Sequence, residues 1–338
     1  MINNFEIKNY KCFKDFKVEG LSQINIISGD NNVGKSAFLE AIYINLNAHM
    51  VIQSIVDENV EIRSYFKALK IISKNRGINE QGFIDYMKNI NFETTINKKK
   101  FSIKYENNLP KKELSNYTNL ASVDSFEFLT IQIIGDKIIY PFEIIKQMEH
   151  TKISQSYIDS SKPINKKLLT LYSSIQNLNL QHKFSEYLKL IDKNITWIEP
   201  QLIGNDLYLR INLKNPIKSL LSSELGEGTN RFIEILATLL TKQNRVILID
   251  EIENGIHYTK LKDIWKAIIE IVQKEKIQLF VTTHDKETIE ALNEASEELG
   301  FEDITSIKLK KDKNNVIYPV IRKSSLFNTT IDCGMDIR

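Results

Sequence analysis

One short stretch, IISGDNNVGKSAFLEAIY (residues 26–43), constrains the possible folds of this chain more than any other feature. An apolar, β-branched run ends at Gly29, and Gly34-Lys35-Ser36 follows a few residues later. Beyond Ser36, apolar residues recur at three- and four-residue steps, which is the spacing of a helix. The pattern therefore predicts a buried strand, a glycine loop and a helix in immediate succession, which is the context of a phosphate-binding P-loop.

The chemistry of this loop follows from its residue types. Glycines allow backbone N–H groups to converge on phosphate oxygens, and the helix N-terminus adds a partial positive charge. Lys35 can reach the β- and γ-phosphates of a nucleotide, and Ser36 can ligate Mg²⁺. A tight strand-to-helix turn without a ligand is the alternative. The loop residues that we expect to bind phosphate are Gly29, Asp30, Asn31, Asn32, Val33, Gly34, Lys35, Ser36 and Ala37.

A later apolar run, VILID (246–250), ends in a pair of carboxylates, Asp250 and Glu251. Such a pair at the end of a buried strand is costly unless it binds a metal or moves a proton. Ligands of open α/β sheets bind at the carboxyl ends of the strands. We therefore expect Asp250 to hold Mg²⁺, directly or through water, and Glu251 to act as the general base for an attacking water. The alternative is that both residues cap the next helix.

The next buried strand is predicted over QLFVTTH, which ends at His284. A histidine at this edge of the sheet can donate to the γ-phosphate or to the attacking water, and so detect whether the phosphate is present. Its alternative role is to cap the following helix. We expect Asp285 to be that cap.

A glycine-rich turn at residues 225–230 precedes an apolar helix predicted over residues 232–240. Small residues and exposed amides at a helix N-terminus form a second anion-binding site. One chain needs only one phosphate cradle, so a second cradle fits the nucleotide of another subunit. The alternative is an ordinary capped turn. The residues predicted to form this second cradle are Gly226, Glu227, Gly228 and Thr229.

Composition sets wider bounds on the chain. It has 338 residues, 42% of them hydrophobic, and a net charge of +2, so a sizeable core is expected without a strong charge bias towards nucleic acid. Cys12 and Cys333 are too few for a zinc site or a disulfide framework, and we expect free thiols in a reducing cytoplasm. The polar N-terminus is unlike a signal peptide, and no apolar run is long enough to span a bilayer.

The remaining segments predict a mixed α/β chain. Alternation in FEIKNYKCFKDFKVEG predicts an antiparallel strand pair, whose aromatic residues Tyr10, Phe13 and Phe16 could alternatively flank a nucleotide base. Hairpins are predicted with turns at Gly135-Asp136 and Gly204-Asn205. Helical patches are predicted within residues 48–90, with strands after them, and helices again over residues 163–195. A strand pair is predicted in the C-terminal tail.

The order of these motifs resembles that of the ATP-binding-cassette (ABC) ATPases. The opening FEIKNYKCFKDFKV is similar to the branch that contains the SMC, RecF and OLD-like AAA family ATPases, and LGEGTNRF and LIDEIENGIHY resemble the short OLD-type subgroup. The resemblance covers residues 1–47 and 196–290. It implies an α/β P-loop NTPase fold with a mainly parallel sheet, an antiparallel N-terminal β-subdomain, and ATP with Mg²⁺ as ligands.

Three features depart from the ABC pattern. Gly226 stands where the phosphate-contacting serine of the transporter signature would be, so Thr229 or backbone amides would serve instead. His257 lies near the aspartate position of the D-loop. No glutamine is clearly identifiable as the Q-loop residue, although Gln132 and Gln155 are candidates.

We divide the chain into an N-terminal part of the ATPase domain (1–47), an inserted, mostly helical lobe (48–195) and a C-terminal part (196–338). The insertion has no sustained heptads, which argues against a long SMC-type coiled-coil arm. Larger members of the family carry a C-terminal TOPRIM nuclease domain, for which the residues after 290 leave no room. We therefore expect any nuclease to be a separate polypeptide.

The resemblance implies an ATP-dependent switch. Two copies would pack head to tail, or in a higher oligomer, with each ATP between Lys35 of one copy and the 226–229 turn of the other. The switch would drive a partner nuclease or DNA processing, as in OLD-like anti-phage defence. A RecF-type DNA-repair ATPase and a nucleotide-gated scaffold with little hydrolysis are the alternatives. Lysines at 98–100, 166–167 and 310–311 mildly support DNA contact, although a solvated surface is their simpler explanation.

Overall fold

A computed structural model describes residues 1–55, 91–107, 127–133, 136–141, 157–241 and 246–323 of the chain. The helices predicted between residues 56 and 90, together with Gln155 and Cys333, lie outside these ranges.

A six-stranded, mainly parallel sheet forms the centre of the fold, in the order β15-β14-β3-β13-β12-β8. Only its edge strand β15 is antiparallel. The strands are β3 (Ile24–Ser28), β8 (Tyr157–Ile158), β12 (Val246–Ile249), β13 (Gln278–Thr282), β14 (Ile304–Lys311) and β15 (Ile317–Lys323). Strands β3 and β13 are buried along their whole length, because a parallel sheet is covered on both faces.

Helices cover the two faces of this sheet. They are α1 (Lys35–Ile55), α2 (Asn165–Asn177), α3 (Gln181–Leu188), α4 (Glu227–Thr241), α5 (Tyr258–Glu275) and α6 (Lys286–Leu299). Alternate strand residues point to opposite faces. Ile26 and Val281 accordingly enter the core packed by α2 to α6, whereas Ile27 and Phe280 enter the core packed by α1. The predicted alternation of buried strands and helices is confirmed in this part of the chain.

A second sheet packs on the α1 side and is antiparallel, in the order β2-β1-β4-β5-β6-β7. Its strands are β1 (Asn4–Tyr10), β2 (Phe13–Glu19), β4 (Asn91–Ile96), β5 (Lys99–Asn107), β6 (Glu127–Ile133) and β7 (Asp136–Pro141). The predicted β1/β2 pair is present. Strands β6 and β7 also pair antiparallel, with Asp136 in β7 opposite Ile133, whereas Gly135 of the predicted turn lies outside the described residues.

This pairing changes the interpretation of residues 48–195. Strand β4 bonds directly to β1, so the described strands between 91 and 141 continue the N-terminal sheet rather than forming a separate helical lobe. Strand β8 belongs to the parallel sheet beside β12. Long-range strand pairing of this kind leaves no mark in local periodicity, which is why the sequence suggested an insertion. The domain boundaries at 47 and 195 stay a prediction.

A third, three-stranded sheet has the order β11-β10-β9, with strands β9 (Ile195–Ile203), β10 (Asp206–Lys214) and β11 (Ile217–Leu221). The predicted turn at Gly204-Asn205 connects β9 to β10. The inward residues Ile198, Leu209 and Ile211 join the core beneath α2 to α4. Within the part of the chain that the structure describes, no helix is long and apolar enough to cross a membrane.

The aromatic residues of β1 and β2 are core residues, so the proposal that they flank a base is wrong. Tyr10, Phe13 and Phe16 are almost completely buried, and Phe16 packs edge-on against Phe38 of α1 with ring centroids 5.7 Å apart. The hydroxyl of Tyr10 is also inside the protein, where it donates to Glu40 Oε2. The alternation of polar and apolar residues correctly predicted which side chains of β1 and β2 are buried. It carried no information about which part of the protein covers them.

The contact between α1 and the β1/β2 pair gives a test of the fold. Phe38 is fully buried and packs against Phe5 and Phe16. We expect Phe38→Ala to lower the free energy of unfolding by about 3–5 kcal/mol, because it removes a large buried ring and leaves a cavity. The control Ile217→Ala, at a side chain that is 93% exposed, should change it by less than about 0.5 kcal/mol. Chemical denaturation measures both, and equal effects would contradict this packing.

Candidate nucleotide site

The loop between β3 and α1 has the backbone geometry that its glycines predict. Gly29 and Gly34 have φ values of 138° and 109°, and Asn32 has a φ of 60°. A Cβ atom at Gly29 would lie 2.6 Å from the carbonyl oxygen of Leu309, and one at Gly34 would lie 2.6 Å from Cys12 Sγ. Positive φ and close neighbours together require glycine at these two positions.

Lys35 closes this loop. Its Nζ donates to the carbonyl oxygens of Gly29 and Asp30 at 2.8 and 3.0 Å. Burial lowers the pKa of Lys35, and the nearby carboxylates of Glu251, Glu253 and Asp250 act in the opposite direction. The ammonium is thus held over the loop by neutral carbonyl oxygens, which phosphate oxygens can replace as stronger, charged acceptors.

Asp250 joins three strands and the loop at the carboxyl edge of the sheet. Its Oδ1 accepts from Ser36 Oγ at 3.1 Å and from Thr282 Oγ1 at 2.5 Å. The backbone N–H of Asp250 donates to Ile158 at the end of β8. Burial raises the pKa of Asp250, although the hydroxyls of Thr282 and Ser36 partly oppose this shift. Thr282 was not predicted from the sequence, where it reads as one more strand residue.

The donor set fits Mg²⁺ with nucleotide phosphates as additional ligands. Ser36 and Asp250 supply two hard oxygens in contact with each other, and Asp250 is a buried carboxylate. Among the described residues there is no cluster of three or more His, Cys, Asp or Glu side chains that could hold a metal by itself. This is the arrangement expected for Mg²⁺, which is typically held by one or two protein oxygens plus phosphates.

Glu251 lies next to Asp250 but faces the cleft. Its backbone N–H donates to Thr282 Oγ1 at 2.8 Å, and its φ is 49°, a strained value for a glutamate. Its Oε2 accepts from Asn254 Nδ2 at 2.9 Å. The backbone turn and the amide therefore fix the carboxylate that the sequence predicted as the general base.

His284 is oriented by a buried glutamate that the sequence analysis did not single out. Glu253 Oε1 lies 3.0 Å from His284 Nδ1 and accepts from the backbone N–H of His284 at 2.9 Å. Burial raises the pKa of Glu253, although these bonds to His284 oppose the shift. Because Nδ1 is engaged by Glu253, the other ring nitrogen, Nε2, is the one left to contact a ligand. Asp285 caps α6 by accepting from the N–H of Glu287, as predicted.

These groups surround one open cleft with a volume of about 670 Å³. Of the predicted residues, those that line it are Asn31, Asn32, Gly34, Lys35, Ser36, Ala37, Glu251 and His284. Val33 instead points into the core, so only its backbone is available to a ligand. Lys11 and Cys12, in the β1–β2 turn, also line the cleft. They were not predicted, since only the folded hairpin brings this turn onto Gly34.

The 226–229 segment lies outside this cleft. Helix α4 begins at Glu227, five residues before the predicted start, so the second cradle is the first turn of a helix rather than a preceding loop. Gly226 and Glu227 are exposed, whereas Gly228 packs against the backbone of Gly255. The segment is thus exposed to solvent at Gly226 and Glu227 but not at Gly228. Its role towards a nucleotide stays a prediction.

Comparisons with known proteins identify the family. The family described as "AAA domain, putative AbiEii toxin, Type IV TA system" matches residues 24–290. The chain belongs to this family. It is also 23% identical over 361 aligned positions to the "ATP/GTP phosphatase" of Helicobacter pylori, covering 94% of this chain and 95% of that protein.

Solved structures show the same fold. An SMC head bound to the C-winged helix domain of ScpA aligns with a TM-score of 0.54 at 14% identity, covering 95% of this chain and 98% of that one. An SMC head with an extended coiled coil, bound to the C-terminal domain of ScpA from Pyrococcus furiosus, aligns with a TM-score of 0.52 at 12% identity over 98% of both chains. The prediction of an ABC-class, SMC-like AAA ATPase with a P-loop ATPase head fold is confirmed, whereas membership of the short OLD-type subgroup stays a prediction.

Gly228 and Gly226 give a matched test of the first turn of α4. A Cβ atom at Gly228 would lie 2.1 Å from the carbonyl oxygen of Gly255, whereas a Cβ atom at Gly226 would meet nothing within 4 Å. We expect Gly228→Ala to lower the free energy of unfolding by about 1–3 kcal/mol through overpacking. Gly226→Ala should cost less than about 1 kcal/mol. Urea denaturation of both variants measures this difference, and a larger loss in Gly226→Ala would contradict the close contact with Gly255.

The raised pKa of Glu253 predicts a pH dependence of stability. A carboxyl whose pKa is higher in the folded state stabilises the protein fully below its unfolded pKa, about 4.3, and loses that contribution as the pH rises through the folded pKa. Glu253→Gln cannot ionise, so its Tm relative to the unmodified chain should rise between pH 4.5 and 7. The control Ile217→Ala, at an exposed side chain, changes no titratable group, so its Tm difference should stay constant. If the Tm of Glu253→Gln and that of the unmodified chain changed equally with pH, the raised pKa of Glu253 would be contradicted.

Proposed function

We propose that this chain binds ATP in the cleft between the 29–37 loop and the Asp250 edge of the sheet, and hydrolyses it. The observation that carries the proposal is the contact between Ser36 and Asp250, which joins the predicted phosphate loop to the predicted metal ligand. The Nζ of Lys35 donates to two loop carbonyl oxygens, at 2.8 and 3.0 Å. In the complex it would donate to the β- and γ-phosphates instead. Mg²⁺, held by Ser36 and Asp250, would neutralise charge on the phosphates.

Hydrolysis would use the residues at the other side of the cleft. Water attacks the γ-phosphorus, the bond to the β–γ bridging oxygen breaks, and ADP and phosphate leave. Glu251, fixed by Asn254 and Thr282, would accept the proton of the attacking water. His284, held by Glu253, would contact the γ-phosphate through Nε2, and it would donate there when both ring nitrogens carry a proton.

We infer that the active form is a head-to-tail dimer. The cleft is open, and within the described part of the chain the exposed N-terminus of α4 does not line it. If the 226–229 turn binds phosphate at all, the nucleotide of another copy is the fitting ligand. Contacts to the γ-phosphate from both copies would favour the closed dimer, and hydrolysis would remove them.

We propose that this cycle controls a separate effector protein, with a TOPRIM or other nuclease as the expected kind, in a cytoplasmic defence system of the OLD-like type. The family description, which names a toxin of a toxin–antitoxin system, supports a role in cellular conflict. Direct binding to DNA is less favoured. Lys100 and Lys167 pair with Glu93 and Glu234, and Lys311 donates to the phosphate loop at Asn32. These partners reduce the charge available to DNA phosphates.

A Glu251→Gln variant tests both catalysis and dimerisation. Removing the proton acceptor should reduce phosphate release at least about 100-fold while ATP stays bound. Light scattering should then show twice the monomer mass with ATP and Mg²⁺, and the monomer mass without nucleotide.

The control is Glu251→Gln combined with Lys35→Ala, which should stay a monomer because the phosphate contact is lost. A Glu251→Gln chain that releases phosphate at the unmodified rate would refute the role of Glu251. A mass that does not respond to ATP would refute the head-to-tail dimer.

A further inference from the structure

A buried arginine on α4 contacts the backbone of both carboxylate residues at the nucleotide site. Arg231 is 2% exposed. Its Nη2 donates to the carbonyl oxygen of Asp250 at 2.5 Å and reaches that of Glu251 at 3.4 Å. Its Nη1 donates to the carbonyl oxygen of Asp159, in the loop after β8. One guanidinium therefore joins α4 to two loops at the carboxyl edge of the sheet.

The charge of Arg231 is compensated within the same buried cluster. Glu234, one turn further along α4 and fully buried, accepts from Nη1 at 3.3 Å. Lys167 of α2 pairs with the other oxygen of Glu234. Burying the guanidinium of Arg231 and the carboxylate of Glu234 removes both charges from water, which costs free energy. The pair therefore contributes more to the geometry of the site than to the stability of the fold.

Arg231 lies close to the N-terminus of α4, so it connects that end of the helix to the nucleotide site. It lies on α4, about one helical turn beyond the 226–229 segment, which forms the start of that helix. A helix turn is stiff, so a shift of the first turn of α4 moves the guanidinium with it. The planar fork of arginine fixes the direction of its hydrogen bonds, which a lysine ammonium cannot do. Asp250 and Glu251 would then follow through their carbonyl oxygens.

We propose that Arg231 is a positioning residue that couples the two nucleotide sites of the dimer. When the N-terminus of α4 binds the nucleotide of the partner subunit, Arg231 transmits that contact to Asp250 and Glu251 of its own site. The inference rests on the proposed head-to-tail dimer. It adds that each site is set for hydrolysis by occupancy of the other, which makes hydrolysis cooperative in ATP.

The test is the dependence of the hydrolysis rate on ATP concentration. The unmodified chain should give a Hill coefficient above 1 and at most 2, the number of sites. Arg231→Lys keeps a positive charge beside Glu234 but loses the forked contact. Its Hill coefficient should fall to about 1 and its kcat about 10-fold or more. ATP affinity, measured with a fluorescent analogue on the monomer, should change less than 2-fold, because no atom of Arg231 lines the cleft.

Lys167→Gln is the matched control. It removes the other cation bound to Glu234 without touching the carbonyl oxygens of Asp250 and Glu251. Its Hill coefficient should equal that of the unmodified chain. Should Arg231→Lys fail to fold, Arg231→Gln combined with Glu234→Gln removes both buried charges together and should give the same loss of cooperativity.

The outcomes separate this inference from the dimer on which it rests. A Hill coefficient of 1 for the unmodified chain, or an unchanged coefficient in the Arg231 variant, would overturn the coupling role if Glu251→Gln still dimerises with ATP. A lower Tm in Arg231→Lys with unchanged cooperativity would mean that Arg231 serves folding alone. A Glu251→Gln chain that never dimerises would instead overturn the proposed function itself.

Discussion

The buried carboxylate of Asp250 is the point at which the parts of this molecule meet. Its side chain accepts from Ser36 of the phosphate loop and from Thr282 at the end of β13, and its carbonyl oxygen accepts from Arg231 of α4. A carboxylate in a low-dielectric interior must be fully hydrogen-bonded or neutralised. The carboxyl ends of strands β3, β12 and β13 therefore have to lie side by side. Only that register brings the hydroxyls of Ser36 and Thr282 within hydrogen-bond distance of the Asp250 carboxylate.

The site is assembled from pairs in which one residue touches the cleft and another fixes it from behind. Asn254 fixes Glu251, and Glu253 fixes His284. The supporting residues are amides or buried carboxylates with a single orientation. Such support would place the proposed proton acceptor, Glu251, and the proposed phosphate contact, His284, before substrate arrives, which is how electrostatic stabilisation avoids a reorganisation cost. The strained φ of Glu251 belongs to the same arrangement.

The parallel and antiparallel sheets contribute different parts of the cleft. The parallel sheet carries the cleft at its carboxyl edge, whereas the antiparallel sheet supports α1 and places the β1–β2 turn over Gly34. Helix α4 is buried around most of its circumference and exposed at its first residue, Glu227. A stiff helix with an exposed end and a buried arginine is well suited to carry a signal from a surface to a site.

The sequence by itself determined the glycine loop between β3 and α1, the carboxylates at 250 and 251, His284 after the next strand, and the mainly parallel character of the central sheet. Each of these is a short local pattern whose geometry is set by neighbouring residues. Only the tertiary structure decided that β4 continues the β1 sheet, that Tyr10 and its neighbours are core, and that Glu253 and Arg231 support the site. These facts depend on contacts between residues far apart in the chain, and local periodicity carries no record of which distant surface a residue meets.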